Sequence, residues 1–93
     1  MIVLEDCIAL CGLTKQEVMA IAEHEHVPEI AAAAMASSLL NEAHGAEKIR
    51  DMIRDDISEA LKRDDRDHAR ELSVTLRHFL HVHPLAKPKG PPS

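Results

Sequence analysis

The segment Glu23-His24-Glu25-His26-Val27-Pro28-Glu29 places three carboxylates and two imidazoles within seven residues. Both groups ligate metals, and imidazole exchanges protons near neutral pH. At about 100° per residue on a helix, Val18, Ile21, Ala22 and Glu25 share one face. Glu25 is therefore expected on the core side, where a carboxylate needs a partner. Glu23 and His26 form Glu-x-x-His, two neighbouring positions on one helical face.

The Glu-x-x-His motif is the one with which ferritin-like carboxylate proteins hold metal pairs inside a helical bundle, using two such motifs and a Glu from each of two further helices. This chain has one, its nearest relative being Asp65-x-x-His68, and the helix after Pro28 offers Glu29 and Glu42. A two-fold dimer would double the motif. On that reading Glu23, Glu25, His26 and Glu29 are the metal-ligand candidates, with iron or manganese suiting a carboxylate-rich set and zinc a more His-rich one. Capping, ion pairing or a solvated face accounts for the same residues without a metal, because charged side chains mostly face water.

Other reactive side chains have plainer readings. His78 and His81 are three apart but lie off the Leu72, Leu76, Phe79 stripe, and so should be exposed. His83 falls near that stripe and suits a helix end. Cys7 and Cys11 are four apart, and a bond between them would close a trivial loop, so reduced thiols packing as small hydrophobes are expected. Asp56 sits at the edge of an apolar stripe, where an ion pair with an Arg of another helix would explain it. No nucleophile elbow, P-loop, dinucleotide glycine pattern or His-Glu-x-x-His occurs, so no convergent catalytic set is visible.

Charge narrows the partners. The net charge is −5, with one base (Lys15) against seven acids in residues 1–45, and ten bases against nine acids in residues 46–93. An acidic first half disfavours nucleic acid and anionic membrane surfaces, which need Lys and Arg to neutralise phosphate. A helix-turn-helix over 13–36 fails for the same reason: its second helix would carry no Lys or Arg and would begin with Glu29. Protonating all seven His would change the net charge to +2, so charge-dependent behaviour between about pH 5 and 8 is expected. The N-terminus has acids within six residues and no basic stretch, so no secretory leader is expected. No apolar run reaches the roughly 18 residues of a membrane span. The expected location is the cytoplasm.

The elements that must position these groups are helices. A short helix over 4–10 should end at Gly12. Thr14-x-x-Glu17 has the form of a capping box, with Leu13 as staple, and starts a helix from Lys15 to about His26. Pro28 suits the first turn of the next helix, with Val27 pushed out of the helical region and a helix kinked but continuous through Pro28 as the alternative; the helix runs to about Ala43 with Gly45 as its end. A fourth helix covers 46–62, with Ile49, Met52, Ile53, Ile57 and Ala60 at three- and four-residue spacing. Asp64 or Asp65 caps a fifth that stops at Pro84. Residues 85–93 read as a flexible tail rich in Pro, Gly and Lys. No stretch alternates like a strand.

The expected architecture is one all-α domain over 1–84, an up-and-down bundle of four main helices plus the short N-terminal one. Its core is thin, since Phe79 is the single aromatic residue of 93, and small lone cores supply only about 3 to 5 kcal/mol. The small side chains of Ala31 to Ala36 would let another helix approach closely, either at the centre of the bundle or at a subunit contact. Together these features favour a small cytoplasmic all-helical protein without catalytic activity of its own, expected to act by homo-oligomerisation, as a dimer, or by helix-mediated binding to another protein. A metal-binding helical protein with its site completed across a dimer is the alternative.

Overall fold

The computed structural model describes residues 13–86. It is all-α, with four helices and no strand among the described residues: α1 (Lys15–Glu25), α2 (Glu29–Leu40), α3 (Gly45–Lys62) and α4 (Arg66–Val82), followed by a 3-10 turn at Pro84–Ala86. The expected helix over 4–10, Cys7, Cys11 and the tail over 87–93 lie outside the described residues.

Local sequence sets most of these boundaries. Thr14 caps α1 with the full reciprocal box: the Glu17 N–H donates to Thr14 Oγ1 at 3.2 Å, and the Thr14 N–H donates to Glu17 Oε1 at 2.8 Å. Two orphan donors of the first turn are thereby satisfied. The other end of α1 is set by His26 in the left-handed region (φ 56°), where its N–H donates to the Ala22 carbonyl. Pro28, with no N–H and an extended ψ, is the N-cap of α2. The chain thus breaks at 26–28, which turns the imidazole of His26 away from the ladder of α1. Asp65 caps α4 by accepting from the His68 N–H at 3.2 Å.

Two boundaries differ from expectation. Helix α2 stops at Leu40, and Gly45 begins α3 where it was expected to end the preceding helix. The left-handed turn residue is His44 (φ 62°). The role of Gly45 is close approach, since a Cβ there would collide with the Leu39 carbonyl. Ala86, expected in the tail, instead belongs to the 3-10 turn: it is fully buried, and Arg50 Nη1 donates to its carbonyl at 2.6 Å.

Helix α3 is the hub, touching α1, α2 and α4, whereas α2 and α4 do not meet. Its buried stripe of Ile49, Ile53, Asp56 and Ala60 repeats every three or four residues, as an amphipathic helix requires. Val18 and Ile21 of α1 and Leu72 and Phe79 of α4 complete the core. The alanine run has a packing role, because Ala32, Ala33 and Ala36 are buried where α2 lies on α1 and α3. The central helix is nevertheless α3. Against α4, α1 packs sparsely, and a groove separates them.

Candidate functional site: a carboxylate and imidazole cluster beside a groove

Five titratable side chains from three helices gather beside this groove. Adjacent residues of α1 reach in different directions, as the 100° step dictates. Glu23 Oε1 lies 2.6 Å from Nε2 of His68 on α4, and His24 Nε2 lies 3.3 Å from Oδ2 of Asp55 on α3. The first pair is short and half-buried, with side chains 30% (His68) and 37% (Glu23) exposed. A charge-assisted hydrogen bond in such a setting is stronger than a neutral one. In the second pair Asp55 is 71% exposed, so its attraction is largely screened by water.

Asp56 is the fifth member. Its side chain belongs to the buried stripe of α3, the residue is 4% exposed, and Oδ2 has no hydrogen-bond partner. Burial pushes its carboxyl up to about 7 from an ordinary 3.8; the negative charges of Glu23 and Asp55 add to the rise, and the imidazoles of His24 and His68 oppose it. An ionised carboxylate without donors is costly in a core, which favours the protonated form. Among the described residues no Arg of another helix supplies the ion pair expected here, and the groups that favour the charged form of Asp56 are the imidazoles of His24 and His68. His68 is shifted the same way. The hydrogen bond to Glu23 holds its imidazolium above the usual range, burial acts against this, and Glu71 and Asp65 add smaller contributions.

The groove between α1 and α4 has a volume of about 810 Å³ and is lined by Thr14, Gln16 and Met19 on one side and Arg70, Glu71, Val74, Thr75 and His78 on the other. A narrower pocket of about 120 Å³ shares Gln16, Met19, Glu71 and Thr75 with it and extends to Glu23 and His68. The groove therefore runs into the carboxylate–imidazole pair. Two of its large apolar side chains, Met19 (46%) and Val74 (56%), stand half in water.

The metal-ligand candidates do not come together. Glu23 is engaged with His68. Glu25 is half-exposed and sits 3.6 Å from His24, rather than facing the core as its helical position suggested; the buried acid of α1 is Glu17. His26 is exposed in its left-handed turn, and Glu29 opens the next helix beyond the break. Among the described residues no three His, Cys, Asp or Glu side chains are arranged to hold a metal ion. His78 and His81 are exposed as expected, and the ring of His83 packs on Phe79 at 4.6 Å. The α4 partner His68 carried one hint in sequence, its place in Asp65-x-x-His68. Its contact with Glu23 spans 45 residues, beyond the reach of any local spacing.

The chain matches no protein-family model, no curated protein and no solved structure. No described helix is long and apolar enough to cross a membrane. The reading of function therefore rests on this geometry.

Proposed function

We propose that this protein acts by self-association in the cytoplasm, as an up-and-down helical bundle whose α1–α4 groove docks a second copy of the chain. The observation that carries the reading is the pairing of Met19 and Val74, large apolar side chains 46% and 56% exposed that line one groove. Clustered exposed apolar surface marks interaction sites, while isolated exposed residues do not. A two-fold contact requires a self-complementary patch, and the α4 wall provides one: Arg70 beside Glu71 lets each copy offer a cation to the other's anion. Their intrachain contacts are weak competitors, at 3.8 Å to Asp67 and 3.7 Å to His68, with exposed side chains. The thin core adds a motive, since association buries further apolar area at about 25 cal/mol per Å².

Native mass spectrometry of the full chain tests this reading. The expected result is a dimer for the wild type and a monomer for Val74→Glu, whose side chain points into water in the isolated chain and so leaves the fold intact by circular dichroism. A wild type that is monomeric at tens of micromolar overturns it.

A further inference from the structure

We propose that the Glu23–His68 bridge, backed by Asp56, is a proton-operated clasp that holds α4 against α1 and so sets the shape of the groove. The clasp stands on placement. Helices α1 and α4 pack sparsely, and the 2.6 Å bond from Glu23 Oε1 to His68 Nε2 is the polar side-chain link between them. The pocket beside that bond is continuous with the groove through Met19 and Thr75. A change in the bond is thus transmitted directly to the groove wall.

Asp56 makes the clasp sensitive to pH from behind. The charged groups that face it are Glu23 and His24 from α1, Asp55 from its own helix and His68 from α4; α2, whose single charged residue is Glu29, adds none. While Asp56 keeps its proton, the His68 imidazolium faces the Glu23 carboxylate, with Asp55 and Glu71 as the further acids nearby. As pH rises, His68 loses its proton and Asp56 gains a charge. Glu23, Asp55 and Asp56 then stand as three anions beside a neutral His68 ring, and the negative charges of Glu23 and Asp55 oppose that of Asp56. Separation of α1 from α4 admits water to the Asp56 carboxylate and relieves both terms. The closed form is the one a second copy would recognise, so this step rests on the docking reading above, while the clasp motion itself does not.

Methyl NMR of the full chain between pH 5.5 and 8.5 separates the two. The Met19 and Val74 methyl resonances of the wild type are expected to shift with the same midpoint as the His68 ring, and the shift is expected to vanish in Glu23→Gln. Asp56→Asn, which cannot ionise, should move the methyl midpoint while leaving His68 able to titrate. Sedimentation of the same samples should show association weakened about tenfold or more from pH 6 to pH 8.5, about 1.4 kcal/mol. Methyl resonances indifferent to pH, or titrating with unchanged amplitude in Glu23→Gln, overturn the clasp. Methyls that titrate as expected in a protein that stays monomeric uphold the clasp and refute docking of a second copy.

Discussion

Replacing Asp56 with Asn should remove most of the pH dependence of stability between pH 4.5 and 8.5. In the folded chain the Asp56 carboxyl titrates at about 7, against an ordinary 3.8. The folded state therefore binds this proton more tightly than the unfolded one, and stability must fall as pH rises from about 4 to about 7, then level off. At 1.36 kcal/mol per pH unit, a displacement of about three units corresponds to roughly 4 kcal/mol at most. His68 acts with the same sign: its folded-state affinity for the proton is raised, so its contribution is present below the ordinary 6.5 and is lost as pH climbs through the higher folded value. Urea unfolding followed by far-ultraviolet circular dichroism is the suitable assay, since the chain has no Trp or Tyr for fluorescence. Wild-type stability should drop by several kcal/mol from pH 5 to pH 8, a large part of the 5 to 15 kcal/mol typical of a domain. The Asn variant should be nearly flat apart from the smaller His68 contribution, and more stable than wild type at pH 8. Asp56→Leu, which also cannot ionise, should share the flatter profile. A wild type whose stability is constant or rises over this range, or an Asn variant that keeps the full slope, would refute the placement of Asp56.

Other perturbations have defined outcomes. Phe79 is fully buried, so Phe79→Ala should cost about 3 to 5 kcal/mol and leave the chain largely unfolded at 37 °C by circular dichroism. Thr14→Ala removes one half of the capping box and should cost about 1 kcal/mol, read as a lower urea midpoint with unchanged slope. Gly45→Ala drives a Cβ into the Leu39 carbonyl and should lower Tm well beyond a surface substitution, by forcing the α2–α3 connection to move. Truncation after His83 removes the buried Ala86 and the acceptor of the Arg50 bond; a lower Tm in thermal unfolding is expected.

What the sequence disclosed was the local part of the structure. The Thr14 box, the Asp65 cap and the stripes of α3 and α4 are statements about residues three or four apart, and each stands in the fold as read. Pro28 signalled an interruption but not whether the helix breaks or only kinks; the structure has a break, with His26 in a left-handed turn. Gly45 misled because a glycine serves two purposes, positive φ and close approach, and composition does not distinguish them. Glu25 misled because the buried face of α1 is Glu17, Val18, Ala20 and Ile21, rotated away from Glu25. The site was the least legible part. Glu23 was singled out for its helical spacing to His26, but its partner is His68, chosen by how α4 lies against α1. Asp56 was visible only as an acid in an apolar stripe; that its neighbours would be imidazoles follows from helix packing, which no local pattern encodes.

The central claim is that a second copy occupies the α1–α4 groove, and intermolecular contacts at Met19 and Val74 test it most directly. In an equimolar mixture of methyl-labelled and unlabelled protein at pH 6, isotope-filtered NOE spectra should show cross-peaks from the Met19 and Val74 methyls to protons of the other copy, lost in Val74→Glu. A dimeric sample with no such cross-peaks would contradict the account.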